Sequence, residues 1–274
     1  MSTPITVSIL GCGYIGQPLA KLFLKRGWRV RGSTTSESKL TNLLADGIEP
    51  YFLKLTPTLE GYGRRDFFDS DVVVINFPPG RRRADVGAFM EAAMGSLLTY
   101  LKEGRVQKVL FISSTSVYSA GHVQEEDAGK LPPSSASGGA LLAAEELLRN
   151  ASDFKSTVLR FAGLYGYERK PGRFWSGRPL RDPENAVNML HRDDAVRVAM
   201  EVVKQQCWGQ TFNVCADLHP TRAEFYARAA SNLGLPPPQG SFGESRPDKV
   251  VLSDKVRMHL GYTFKFPDPL APAP

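Results

Sequence analysis

The chain has 274 residues, of which 42% are hydrophobic, 10% aromatic and 23% charged. That composition excludes a disordered chain and supplies apolar surface for one large domain or two small ones. No apolar run approaches the roughly 18 residues a membrane-spanning helix needs. Three scattered cysteines, at 12, 207 and 215, exclude a disulfide framework or zinc ribbon and point to a reducing, cytoplasmic setting. Lys and Arg number 34 against 28 Asp and Glu, a net charge of +6, with an isoelectric point near 9.2. This balance suits an anionic small molecule as well as nucleic acid.

In chain order, Ile5–Leu10 reads as a first strand, and Ile15, Leu19, Leu22 and Phe23 recur at helical spacing until Arg26-Gly27. Trp28–Gly32 is a second strand. Ser36 is placed to cap a helix bearing Leu40, Leu43 and Leu44, closed by Gly47. Tyr51–Leu53 is a weak third strand and Val72–Ile75 a strong fourth, followed by a long helix striped by Val86, Phe89, Met90, Ala93, Leu97, Leu98 and Leu101. Val109–Ser113, a helix at Ala140–Arg149, and Thr157–Phe161 complete the alternation. Strands apolar on both faces, alternating with helices, predict an α/β fold with a doubly wound parallel sheet.

Beyond Phe161 the pattern loosens. Tyr165–Pro183 is rich in Gly, Pro and Arg and reads as an irregular lobe. A helix at Asp193–Lys204 and a strand at Phe212–Val214 follow. Thr221-Arg-Ala-Glu224 is a capping box opening a helix that Leu233-Gly234 ends. Val250–Leu252 is expected as a short strand and Ser253–Leu260 as a capped helix ending at Gly261. The expected division is a dinucleotide-binding domain over 1–164 and a smaller α+β substrate lobe over 165–274, with 185–215 returning to the first domain.

Gly11-Cys-Gly-Tyr-Ile-Gly16 stands where a Rossmann dinucleotide fingerprint belongs, after the first strand and at the mouth of a helix. Gly11 permits the tight turn, Gly13 lets backbone approach a pyrophosphate, and Gly16 lets helix and strand pack closely. The helix N-terminus offers N–H groups and partial positive charge to the phosphates. Cofactor contacts are thus expected from Gly11, Cys12, Gly13, Tyr14, Ile15 and Gly16, with Cys12 as a small residue facing the phosphates. A glycine turn kept for packing alone is the alternative. At the end of the second strand an acid would favour NAD. Here Ser33, Thr34 and Thr35 stand in its place, and Lys39, with Arg31 as a further candidate, supplies positive charge for a 2′-phosphate. NADP is therefore favoured over NAD, although a helix cap at Ser36 would account for the same hydroxyls.

Several later stretches resemble the extended short-chain dehydrogenases/reductases, the nucleotide-sugar epimerase and dehydratase group. Phe111-Ile-Ser-Ser-Thr-Ser-Val-Tyr118 is similar to that family's Ser-Ser-x-x-Val-Tyr segment. Leu159-Arg-Phe-Ala-Gly-Leu-Tyr-Gly166 and Asn188-Met-Leu-His-Arg-Asp-Asp194 resemble two further motifs, and the likeness extends to about residue 265. The resemblance implies an NAD(P)-binding oxidoreductase or epimerase acting on a small, sugar-nucleotide or anionic substrate, with Ser114 as the family serine. It also implies a Tyr-x-x-x-Lys pair on the helix after the fifth strand, where lysine and the nicotinamide charge lower the phenol's pKa.

That pair is missing. Counting back from Glu145 puts Ser137 at the tyrosine position and Leu141 at the lysine position, and none of the nine tyrosines has Lys four residues on. The chain resembles an atypical branch of the family. The crevice of such a sheet opens beyond the strands' carboxyl ends, where Phe77, Pro78, Pro79 and Ser113 are expected against the cofactor. Arg81–Arg83 are read as a solvated rim or a phosphate contact. Tyr118, and Tyr165 beside it, are the candidate phenols, and His191 is read as structural. No metal-ligand spacing occurs, and neither a nucleic-acid nor a membrane partner is expected. The helices Val86–Leu101 and Ala140–Arg149 resemble those that pair family members into dimers, so both a monomer and a homodimer are open. The competing reading is a noncatalytic NADP(H) sensor.

Overall fold

The computed structural model describes residues 4–78, 83–119, 133, 135–241 and 248–272. Strands β1 (Thr6–Leu10), β2 (Arg29–Thr34), β3 (Glu49–Leu55), β4 (Leu59–Gly61), β5 (Val72–Ile75), β6 (Lys108–Ser114), β7 (Lys155–Phe161) and β10 (Thr211–Val214) form one sheet in the order β10-β7-β6-β5-β1-β2-β3-β4. Pairing is parallel from β6 through β3, with β1 between β2 and β5. Because β1 has the first half of the sheet on one side and the second on the other, the strand order reverses at β1/β5, the switch point of a doubly wound sheet. β4 runs antiparallel to β3 at the edge.

Apart from the strand expected at Val250–Leu252, the expected strands and helices are present, most of them longer than their apolar cores. β1 and β5 are buried at every position, as strands of a sheet covered on both faces must be; β5 is wholly aliphatic, while in β1 the buried Ser8 donates to the Phe67 carbonyl. Each aliphatic side chain contributes about 1.5–3 kcal/mol on burial. Helix α1 (Gly16–Lys25) buries Leu19, Ala20 and Phe23, and α4 (Val86–Glu103) buries the stripe Val86, Met90, Ala93, Met94, Leu97 and Leu101. α5 (Ala136–Arg149) opens at Ser135, whose Oγ accepts the Gly138 N–H at 3.1 Å.

The chain forms two compact units: Met1–Val117, Ser135–Arg160 and Val196–Thr211 in the first, and Tyr118–Ser134, Phe161–Ala195 and Phe212–Pro274 in the second. The second holds a parallel two-stranded sheet of β8 (Gly163–Tyr165) and β9 (Met189–His191). It also holds α6 (Gly172–Trp175), α8 (Arg222–Ser231) and α9 (Asp254–Leu260), while α7 (Arg192–Lys204) begins there and ends in the first unit. The Thr221–Glu224 capping box forms in both directions, and Gly261 closes α9 with φ 59°.

Four local expectations are corrected. Ser36 does not cap a helix: its Oγ bonds Ser38, a 3-10 turn covers Glu37–Lys39, and α2 follows at Leu40–Ala45. β4 and α3 (Arg64–Phe68) lie between the expected third and fourth strands, where the sequence pattern assigns no element. Val250–Leu252 shrinks to a single bridge residue at Val251, whose N–H donates to the Asn188 side chain at 2.8 Å. Ser253 leaves α9 uncapped, since its Oγ accepts the Cys215 N–H at 2.7 Å.

Candidate functional site

The glycine loop connects β1 to α1 at the switch point. Gly11 has φ +105°, and a Cβ there would lie 2.2 Å from the Asn76 carbonyl oxygen. Asn76, just past β5, fixes this approach: its Nδ2 donates to the Gly11 carbonyl at 2.9 Å, and its N–H donates to Leu10. Ser33 holds the loop from β2, accepting the Gly11 N–H at its Oγ (3.0 Å) and the Cys12 N–H at its carbonyl (2.7 Å). A Cβ on Gly16 would stand 2.2 Å from the Gly11 carbonyl oxygen. Glycine is therefore obligatory at both ends of the turn.

Gly13 differs. It is exposed, and no heavy atom lies within 4 Å of where its Cβ would be. Ile15 at the N-cap of α1 makes no side-chain capping bond, and the first turn holds no acidic residue. The positive end of α1 thus meets open space with no carboxylate of its own to compete. That cradle fits a diphosphate held by backbone amides, the anion chemistry of a dinucleotide.

The residues expected around it divide. Tyr14 is half-buried and Ile15 is buried. Cys12 is a correction. Its thiol packs against β2, where a Cβ on Gly32 would be 2.6 Å from Sγ, and burial pushes its pKa up to about 12. Neither its side chain nor its N–H, already given to Ser33, is turned to a ligand. Ser33 is likewise buried and fastens the loop. The buried Thr34 accepts the Ser36 N–H at 3.2 Å, while Thr35 and Lys39 are exposed. Arg31 is withdrawn: its buried guanidinium donates to the carbonyls of Asp66 and Asp69. Phe77 is half-buried and Pro78 exposed, whereas Pro79, Arg81 and Arg82 lie outside the described residues. Arg83 is on the surface, paired with Asp85 at 3.0 Å.

At the end of β6, Ser113 is buried and donates to Glu145 Oε1 at 2.5 Å. Ser114 beside it is half-buried, with Oγ accepting the Ser116 N–H. Tyr118, expected as a catalytic phenol, is a second correction: it is 1% exposed, and its hydroxyl donates to Asn213 Oδ1 at 2.7 Å. On α5, Ser137 is half-buried and Leu141 is 2% exposed, so the lysine position is filled by an apolar core side chain. In the second unit Tyr165 is buried edge-on to His191 at 5.2 Å. His191 is fully buried against Phe266, with ring centroids 3.8 Å apart. Burial lowers its pKa below the usual 6.5 against the raising charges of Asp193 and Asp194. Arg173 is exposed.

Arg160 belongs to the Leu159–Gly166 motif that the sequence offers beside Ser114, whereas Asn76 and the pairing of Arg160 with Glu145 do not stand out from the sequence as site features. A polar residue directly after the aliphatic run of β5 was the available signal for Asn76. Among the described residues no cluster has metal-ligand composition, and no helix is long and apolar enough to cross a membrane.

The sequence matches the profile of the NAD dependent epimerase/dehydratase family over residues 7–215, and the chain belongs to that family. It is also similar to Protein YeeZ of Escherichia coli K12, at 33% identity over 267 residues, 96% of this chain and 97% of that one. Among solved structures, a functionally unknown conserved protein from Silicibacter pomeroyi superposes with a TM-score of 0.74 at 24% identity, covering 97% of this chain and 95% of that one. UDP-glucuronic acid 4-epimerase from Bacillus cereus, in complex with UDP-glucuronic acid and NAD, superposes with a TM-score of 0.75 at 20% identity, covering 97% and 96%. At these identities the structural likeness carries the fold.

Proposed function

We propose that the chain binds a nicotinamide dinucleotide at the Gly11–Gly16 turn and acts as an oxidoreductase or epimerase on a small anionic or sugar-nucleotide substrate. The observation that carries this reading is the contrast within the turn: Gly11 and Gly16 admit no Cβ, while Gly13 faces open space at an uncapped helix N-terminus. When bound, the nicotinamide supplies hydride exchange. Gly13 and the first turn of α1 hold the diphosphate, with Tyr14, Phe77 and Pro78 along its path. Thr35 and Lys39, exposed beyond a β2 end that carries no carboxylate, favour NADP over NAD. Residues 165–274 form the substrate lobe, and the setting is cytoplasmic.

Ser114 carries the polarising hydroxyl. With leucine buried at the lysine position and Tyr118 sealed in a hydrogen bond, proton transfer uses no Tyr–Lys pair, and turnover is slow by the roughly 10²–10⁴-fold that a positioned acid–base supplies. The same observation favours a second reading, a dinucleotide sensor without turnover.

Calorimetric titration with NADPH and NADH tests binding. Saturable heats, tighter for NADPH, are expected, and flat traces with both overturn the proposal. Incubation with a sugar-nucleotide panel then separates the two readings. Turnover abolished in Ser114→Ala supports the enzyme, and tight binding without any turnover supports the sensor.

A further inference from the structure

We infer that Glu145 and Arg160 are positioning residues that act through Ser113 to set the end of β6 against the nicotinamide half of the bound dinucleotide. The inference rests on the dinucleotide reading of the glycine turn. Glu145 is fully buried and Arg160 is 3% exposed. Arg160 Nη2 lies 2.6 Å from Glu145 Oε2, and Nε lies 3.0 and 3.2 Å from the two carboxylate oxygens. Ser113 Oγ adds its bond to Oε1 at 2.5 Å. One carboxylate on α5 thereby ties together the ends of β6 and β7.

Two charges buried this deeply are costly to desolvate and are weak evidence for stability, so position is the better account of them. The position matters. In a sheet that reverses at β1/β5, a dinucleotide lies across the switch point, one half over β1-β2-β3 and the other over β5 and β6. The glycine turn after β1 takes the diphosphate, and the carboxyl end of β6, where Ser113 meets Ser114, lies under the nicotinamide half. Ser137, Leu141 and Glu145 follow one another at i, i+4 and i+8 on one face of α5. Arg149, next in that series, is half-exposed and 4.0 Å from Glu145 Oε2, so the fully buried Glu145 is the charge on that face that bonds β6 directly.

The test compares NADPH with 2′-phospho-ADP-ribose, the same ligand without its nicotinamide, on wild type, Ser113→Ala, Ser113→Thr and the double variant Glu145→Leu/Arg160→Met. The double variant replaces the ion pair by apolar side chains, a change that buried pairs commonly tolerate, and Ser113→Ala removes one hydrogen bond alone. We expect Ser113→Ala and the double variant to bind NADPH about fivefold more weakly. We expect 2′-phospho-ADP-ribose to bind them as wild type does, Ser113→Thr to restore NADPH affinity, and the fluorescence enhancement of bound NADPH to fall with the affinity. Equal losses for both ligands, or no loss for either, overturn the positioning role while leaving the dinucleotide reading intact. Failure of wild type to bind either ligand overturns both.

Discussion

Gly16 approaches Gly11 so closely that a side chain on the first would press its Cβ to within 2.2 Å of the second's carbonyl oxygen. Two residues later than Gly11, Gly13 has no such neighbour. The fold therefore demands glycine at two positions of the motif and leaves the third free, the position that the proposed diphosphate site accounts for. Gly16→Ala is expected to destabilise the protein by about 1–3 kcal/mol through overpacking. Gly13→Ala is expected to melt within about 0.5 kcal/mol of wild type yet to bind NADPH more weakly, and Gly13→Asp to lose binding through repulsion of the diphosphate. Thermal melts and calorimetry on the same samples check this. Equal NADPH affinity in Gly13→Asp and wild type would show that the turn serves packing alone.

Arg31, within β2, and Lys39, beyond its end, have opposite fates. Arg31 is buried, with its guanidinium spent on the carbonyls of Asp66 and Asp69, so Arg31→Leu is expected to lower the melting temperature without changing the NADPH/NADH preference. Lys39 is exposed, and Lys39→Glu is expected to weaken NADPH about tenfold, the worth of one charge-assisted contact, with little effect on NADH. Paired titrations of the two cofactors measure the ratio. An unchanged ratio in Lys39→Glu would remove the basis for NADP.

The division between these two arginine and lysine side chains marks where the sequence stops being legible. Periodicity reveals β1, β5, α4 and the Thr221 capping box because each is set by its own residues. It cannot reveal that Arg31 turns inward, since that follows from the carbonyls which α3 brings beneath β2, and α3 itself is only five residues long. β4, three residues long, is held by its antiparallel partner β3 and has no pattern of its own. Val250–Leu252 has strand composition but keeps only the bridge at Val251, whose N–H goes to the Asn188 side chain. The glycine motif was readable because its spacing between a strand and a helix is written in consecutive residues. Asn76 and Glu145, 65 and 32 residues from the groups they hold, are visible only after the chain has folded.

Tyr118 and Asn213 give a test of the missing phenol. The Tyr118 hydroxyl donates to Asn213 Oδ1 in a buried setting, so Tyr118→Phe is expected to cost about 1 kcal/mol of stability and to leave cofactor affinity and any turnover unchanged. Ser114→Ala is expected to do the reverse. Chemical denaturation and the turnover assay separate them, and loss of turnover in Tyr118→Phe would return the phenol to the mechanism.

The two buried thiols are expected to make the protein sensitive to alkali. Burial pushes both Cys12 and Cys215 up to about 12 from an ordinary 9.0. With the folded pKa above the unfolded one, their contribution to stability is fully present below pH 9 and is lost as pH rises from about 9 towards 12. Melting temperature is expected to decline through that window, with a shallower slope in Cys12→Ala/Cys215→Ala. In the folded protein at pH 8 neither thiol should react with a disulfide reagent, whereas the half-exposed Cys207 should. Rapid labelling of Cys12 would contradict its burial against Gly32.

His191 makes the complementary prediction in acid. Desolvation lowers its pKa from 6.5, outweighing the nearby Asp193 and Asp194, whose charges act to raise it. His219 is lowered for the same reason, with desolvation outweighing its bond to the Val187 carbonyl and the charges of Asp217 and Asp248. A depressed folded pKa means that the unfolded chain takes up the proton first. The stabilising contribution is therefore present above about pH 6.5 and drains away as pH falls through the folded value. Protonation would place a charge against Phe266 at 3.8 Å and against the Gly166 backbone, where a Cβ would lie only 2.4 Å from Nε2. Melts at pH 8, 7, 6 and 5 should be level down to about 6.5 and then fall. His191→Phe keeps a ring in place but loses the acceptor for the Asp193 N–H, so it should start lower and fall less steeply between pH 6.5 and 5. An acid slope identical to wild type in His191→Phe, with His219→Gln flattening it instead, would assign the sensitivity to His219.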